Sequence, residues 1–353
     1  MLNALLKQIV EEGRTLTRAE ARAALESILH SQPEPSSDQQ IAALLTAMAL
    51  RGESVDELTG FAEAMRALSI PIPLSDEERA SLVDTCGTGG DGHDTFNIST
   101  GAALLATAAG AKVAKHGNRA VTSKCGSADV LEAMGVPVEL TAAQSAECLR
   151  VTGFAFLFAP ALHPAMKRVQ PIRRALGFRT IFNLAGPLTN PAGAPAQVMG
   201  VFAPGKLDVV AGAMAQLGVR FGRVVHARNG IDELALSATD TVLVRAASSH
   251  NAPHTLRTVV HPQDHGLSEA GLEDLRAGET AEENAAILEA ILHGDLRGPK
   301  RDVVLLNAAA ALEAAGIASD LKEGVARAAG AIEGGAARST LAALREFRTS
   351  LAR

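Results

Sequence analysis

The chain has no tryptophan and no tyrosine, and its aromatic residues are ten phenylalanines. Single-stranded nucleic acids are gripped by stacking bases on aromatic rings, so a chain this poor in them is unsuited to that role. Charge argues the same way: the net charge of −6 is not the basic surface that coats a phosphate backbone. No nucleic-acid partner is expected, and any anion must be bound locally. Cysteine is scarce as well. Cys86, Cys125 and Cys148 are widely spaced, with no CxxC pair and no even-numbered framework, which fits free thiols in a reducing cytoplasm. No apolar stretch approaches the ~18 residues of a membrane span. Met1 to Val10 carries only Lys7 as a cation and is followed by no small-residue cleavage site, so neither membrane nor export is expected. The Walker pattern GxxxxGK[ST], a Ser-His-Asp arrangement and metal-spaced Cys/His clusters are also missing.

What remains is a chain of 353 residues, longer than the ~250–300 residues at which single cores stop growing, so two parts are expected. The first seventy residues read as helices. Leu2, Leu5, Leu6, Ile9 and Val10 form one apolar stripe. Three more helices start at capping boxes, Thr17 with Glu20, Ser37 with Gln40 and Ser54 with Glu57, and Gly52 stops the third helix. That third helix, Ile41 to Leu50, is apolar nearly all round. Periodicity fits a central bundle helix as well as a subunit interface, and we favour the interface. Ile70-Pro71-Ile72-Pro73 then breaks the helical pattern, and from Leu82 short apolar runs alternate with helices. Strands are expected at Leu82–Thr85, Ala111–Lys115, Phe154–Phe158, Val198–Phe202, Arg223–His226, Thr241–Arg245 and Leu256–Val260. Helices are expected at Thr100–Ala109, Ala128–Met134, Ala142–Val151 and Leu207–Gln216. The fold class is therefore α/β: a small N-terminal all-helical domain plus a large α/β domain, whose central, mainly parallel sheet is flanked by helices and binds ligands at strand C-termini.

The chemistry gathers at those strand ends. Leu82 to Thr100, LVDTCGTGGDGHDTFNIST, reads as a strand, a glycine loop and a helix start. Glycines let a loop backbone turn several N–H groups toward one anion, and a helix N-terminus adds more. The loop satisfies GxGxxG through Gly87, Gly89 and Gly92, yet the dinucleotide reading fails. There the helix opens inside the motif and an acid follows ~20 residues on; here the helix cannot start before about Ile98, and the next strand ends in Lys115-His116. A glycine turn with no ligand is the bland alternative. The second loop, KHGNRAVTSKCGSAD, sets Lys115, His116, Asn118, Arg119, Ser123, Lys124 and Ser127 around Gly117 and Gly126, donors able to cover phosphates; a solvated basic turn is its alternative. Asp232-Glu233 follows the strand Arg223–His226. Such a pair suits magnesium, which takes one or two carboxylates plus water and phosphate, although most acidic loop pairs are merely solvated. His116 and His163 read as structural hydrogen-bonding groups more readily than as bases. His163 to Arg179, rich in Lys and Arg, looks helical and is expected to return to the small domain.

Taken together, CGTGGD (Cys86–Asp91), TFNIST (Thr95–Thr100), KHGNRAVTSKCGSADVLEAMG (Lys115–Gly135), HPAMK (His163–Lys167), RTIFNLAGPLTNP (Arg179–Pro191) and GIDEL (Gly230–Leu234) resemble the anthranilate phosphoribosyltransferase family in order and spacing over nearly the whole chain. The departures are Cys125 and Ala185, where Ser and Leu are frequent. The resemblance implies transfer of phosphoribosyl from 5-phosphoribosyl 1-pyrophosphate to anthranilate with Mg2+ in tryptophan biosynthesis. It implies that Gly87, Gly90, Asp91, Thr95, Asn97, Ile98, Ser99, Thr100, Lys115, His116, Gly117, Asn118, Arg119, Ser123 and Ser127 bind the donor. Gly87, Asn118 and Arg173 would take anthranilate, Ser99, Asp232 and Glu233 would hold the metal, and Lys115, Asn118 and Arg173 would act on the reactants. It also implies a homodimer built through a helical domain of residues 1–72 with about 165–186, the anthranilate side, beside a large domain of 73–164 and 187–353. The alternatives are a pyrimidine nucleoside phosphorylase, similar in fold, and a non-catalytic nucleotide-sensing relative.

Overall fold

Four helices open the computed structural model, which describes residues 2–29, 36–120, 125–246 and 254–351. They are α1 (Leu2–Glu12), α2 (Arg18–Leu29), α3 (Asp38–Arg51) and α4 (Val55–Ala67). The three capping boxes form: the N–H groups of Gln40, Glu57 and Glu20 reach Ser37, Ser54 and Thr17 hydroxyls at 3.2, 3.2 and 3.3 Å. Glu57 does more than cap. Its carboxylate is fully buried and accepts from Leu16 N–H at 2.8 Å and from Arg51 Nη2 at 2.5 and 2.6 Å, tying α4 to the end of α3 and to the α1–α2 link. Such a buried pair is costly to break, since losing one partner strands the other charge. Gly60 lets α2 and α4 meet, for a Cβ there would lie 2.3 Å from Arg18 O. Helix α3 buries Ile41, Leu44, Leu45 and Met48 inside the bundle but leaves Leu50 84 % exposed, so it is central on one face and bare on the other. Val10, read from the stripe as inward, points out.

The sheet contains β1 (Leu82–Asp84), β2 (Lys112–Gly117), β3 (Phe154–Phe158), β4 (Ala196–Gly200), β5 (Phe221–Ala227), β6 (Thr239–Arg245) and β7 (His254–Val260), in the order β3-β2-β1-β4-β5-β6-β7. Strands β1 to β5 are parallel, and β6 and β7 return antiparallel as an edge hairpin. All seven expected strands are present, most with shifted ends. Strand β2 runs on to Gly117 and so holds Lys115 within it, while β5, β6 and β7 begin two residues earlier than their apolar runs. From β1 the chain moves outward to β2 and β3, then crosses back to β4 on the other side. The crevice between the C-terminal ends of β1 and β4 is therefore the topological switch point, where open α/β sheets bind ligands.

Alternating side chains divide the interior. Met199 and Val224 join the core of α1–α4, whereas Val198 and Val225 face the opposite core under the C-terminal helices. Val169, Ile172, Ile181 and Phe182 share the core of α1–α4, so the segment from His163 to Arg179 does pack with the N-terminal helices. It is a 3-10 turn (Pro164–Arg168) followed by a helix (Gln170–Leu176). Among the described residues, no helix is long and apolar enough to cross a membrane.

Candidate active site

Strand β1 is apolar until Asp84, and there the chain leaves the sheet as the glycine loop. Gly89, Gly90 and Gly92 take φ of +62, +71 and +84°, a left-handed conformation that glycine adopts without steric cost. The Gly89 N–H donates to Asp232 Oδ2 at 2.7 Å, and Thr88 N–H to Gly200 O at 2.9 Å. The N–H groups of Gly90, Asp91 and Gly92 have no acceptor among the described residues, so the loop presents free donors as an anion cradle does. The helix after it begins at Ile98, two residues before the expected start. The Asn97 side chain at its head does not cap it, its amide donating instead to Cys125 O at 3.1 Å in the second loop.

Lys115 is 1 % exposed and its Nζ donates to Thr85 O at 2.7 Å and to Ser99 Oγ at 3.3 Å. Charge brought that deep is held by hydrogen bonds from two sides of the cleft. Opposite it lie Asp232 and Glu233. Asp91 Oδ2 accepts the Asp232 N–H at 3.3 Å, and Glu233 Oε1 accepts the Ser99 N–H at 3.2 Å. Burial raises both carboxyls above the usual range, with Asp91 adding repulsion at Asp232 and Asp232 at Glu233. Crowded, desolvated carboxyls of this kind favour a bound cation. Among the described residues, no group of three His, Cys, Asp or Glu side chains that could hold a metal converges.

The wall facing the helical segment differs. Arg173 on helix Gln170–Leu176 lies over the Phe182 ring, 5.3 Å from its centroid. Burial lowers its pKa from the ordinary value, and no carboxylate pairs with it among the described residues. Met65, Met166, Gln170 and Pro187 line this end. His116 and His163 sit ring to ring at 5.1 Å, and burial depresses them to about 3 and about 4. Both are neutral and too weakly basic to draw a proton at pH 7.

The cleft, of about 530 Å³, brings together Gly87, Gly90, Asp91, Thr95, Asn97, Ile98, Ser99, Lys115, His116, Gly117, Asn118, Arg119, Ser127, Arg173, Asp232 and Glu233. Two expected residues stand apart. Thr100 is fully buried on its helix behind the wall, and Ser123 lies outside the described residues. The Arg119 guanidinium is occupied by Asp129, Glu132 and Glu139 at 3.3, 2.7 and 2.9 Å, and its backbone N–H donates to Asn118 Oδ1 at 2.8 Å. Sequence reasoning missed Asp84 and Thr85, which brace the second strand; the signal was an acid closing an apolar strand. Asp84 Oδ1 accepts the His116 N–H at 3.1 Å, and burial pushes this carboxyl up to about 6.

Residues 79–338 match the glycosyl transferase family a/b domain, and residues 3–69 match the family's helical bundle domain. The anthranilate phosphoribosyltransferase of Symbiobacterium thermophilum is 50 % identical over 346 residues, 98 % of this chain and 97 % of that one. That of Moorella thermoacetica is 49 % identical over 98 % of this chain and 97 % of its own. The crystal structure of the Thermus thermophilus enzyme superposes with a TM-score of 0.88 at 42 % identity, covering 98 % of this chain and 99 % of that one. The Saccharomyces cerevisiae enzyme in complex with PRPP and Mg superposes with a TM-score of 0.85 at 27 % identity, covering 99 % and 98 %. The chain belongs to the glycosyl transferase family and, within it, to the anthranilate phosphoribosyltransferases.

Proposed function

We propose that the cleft works as follows in the reaction of this family. The chain transfers phosphoribosyl from 5-phosphoribosyl 1-pyrophosphate to the amino group of anthranilate: the bond from ribose C1 to pyrophosphate breaks, a C1–N bond forms, and the amine loses a proton. The observation that carries this reading is Arg173, a half-buried guanidinium with no carboxylate partner among the described residues, facing the same cleft as the glycine loop and the acidic pair. It offers anthranilate's carboxylate a paired, two-pronged contact, with the Phe182 ring beneath it.

The free N–H groups of Gly90, Asp91 and Gly92 take the leaving pyrophosphate, with Lys115 supplying charge and Asn97, Ser99 and Ser127 orienting the donor. Ser99, Asp232 and Glu233 would hold Mg2+, whose chemistry when bound is to neutralise charge developing on the departing pyrophosphate. An aromatic amine is neutral at pH 7, so it needs no strong base, and the weakly basic His116 and His163 accord with that. Asn118 and Arg173 hold the amine in line with C1, and such positioning contributes much of the rate.

We further propose the division into 1–72 with about 165–186 and 73–164 with 187–353, pairing of two chains through α1 and α3, where Val10 and Leu50 are 69 % and 84 % exposed, and residence in the cytoplasm, which suits three free cysteines. The deciding experiment follows anthranilate fluorescence with purified protein. Loss of signal that requires both 5-phosphoribosyl 1-pyrophosphate and magnesium is expected; cleavage of thymidine or uridine with phosphate, anthranilate remaining unchanged, would overturn the assignment.

A further inference from the structure

Arg179 has no place in the reaction as described, yet it joins the two sides of the cleft. It follows the anthranilate-side helix Gln170–Leu176 and precedes Thr180, Ile181 and Phe182, all buried. From that fixed base its guanidinium donates through Nη2 to the Gly90 carbonyl and lies over the Phe202 ring, 4.5 Å from the centroid. Phe202 sits just beyond β4, on the rim of the switch-point crevice. The glycine loop is thus held from two directions, Gly89 N–H by Asp232 at 2.7 Å and Gly90 C=O by Arg179. In a trans peptide the carbonyl and the following N–H point opposite ways. Holding the Gly90 carbonyl therefore turns the Asp91 N–H, which has no acceptor among the described residues, away from Arg179 and leaves it for an anion.

We infer that Arg179 is a positioning residue that sets the orientation of the glycine loop's phosphate-binding N–H groups from the anthranilate side of the cleft, acting through the Gly90 carbonyl and braced by Phe202. The inference rests on the functional reading above. It is tested with R179A and F202L in steady-state kinetics and in calorimetric titration of magnesium pyrophosphate. R179A is expected to raise the donor KM about tenfold, the factor equal to ~1.4 kcal/mol, while kcat and the anthranilate KM stay within about twofold. Because Arg179 is exposed, its melting temperature should stay near wild type. F202L, which removes the brace and no charge, is expected to weaken the donor in the same direction. A donor KM unchanged in R179A overturns the inference, as does a loss in R179A that F202L does not share, which would mean direct contact with phosphate. If wild type leaves anthranilate untouched but R179A still binds magnesium pyrophosphate more weakly, the functional reading fails and the role of Arg179 stands.

Discussion

Arg173, in the cleft wall, and Asp84, buried at the end of β1, show how single residues carry opposite burdens. Arg173 is a cation with no carboxylate partner among the described residues, and charge-assisted hydrogen bonds contribute about 1.5–3 kcal/mol. Arg173→Ala is therefore expected to raise the anthranilate KM by roughly 10–100-fold with the donor KM little changed; fluorescence-monitored kinetics with each substrate varied in turn check this. Equal losses for both substrates would detach Arg173 from the carboxylate. Asp84 is an acid whose buried site favours its proton, lifting it from 3.8 to about 6. The stability linked to that proton is complete below the ordinary pKa and is lost as pH rises through about 6, a loss of ~3 kcal/mol once the group is ionised. Asp84→Asn is expected to melt at a higher temperature than wild type near pH 7.5 and at a similar one near pH 4. Thermal melts at the two pH values measure the difference. The site was largely legible residue by residue because its donors cluster beside glycines. Arg119 was not, since nothing in KHGNRAVTSK shows that Glu132 and Glu139, further along the chain, would claim its guanidinium.

At the scale of elements, backbone proximity decides more than side-chain identity. A Cβ on Gly200 would lie 1.4 Å from Asp232 O, so the loop bearing the acidic pair rests directly on the end of β4. Gly200→Ala must displace that loop. Its turnover is expected to fall at least about 100-fold and its magnesium requirement to rise, because misplacing catalytic groups by ~1 Å costs that much. A magnesium titration of rate, beside a melting curve to show the protein is folded, tests it; wild-type metal dependence would contradict the placement. Helices α2 to α4 were legible from their capping boxes, and the strands from their apolar runs. The ends of β5 to β7 were not: Phe221 and Thr239 are paired in the sheet, but the polar residues between them and the apolar runs mask the start of each strand. Ser75 with Glu78 and Thr141 with Gln144 form capping boxes that were in plain view and went unread.

At the scale of the whole molecule, one side of the helical bundle carries exposed apolar residues. Val10 and Leu50, on the two packed helices α1 and α3, are the most exposed large apolar side chains among the described residues, at 69 % and 84 %. Leu50→Glu is expected to convert a two-chain particle in light scattering into a single chain, without lowering the helix content seen by circular dichroism. A wild-type protein that already runs as one chain would remove α3 from any interface.

By itself the sequence determined the helical start, the alternating sheet, the glycine loop, the donor-rich loop after the second strand and the acidic pair, because each is a local pattern of turn chemistry, periodicity or charge. Tertiary structure decided what local pattern cannot hold: that β1 and β4 adjoin at the switch point, that Asp232 receives Gly89, that Arg119 is already engaged, and that Arg179 reaches Gly90. These are meetings of residues from ten to over a hundred positions apart. They depend on the order in which strands lie in the sheet, which no single segment encodes.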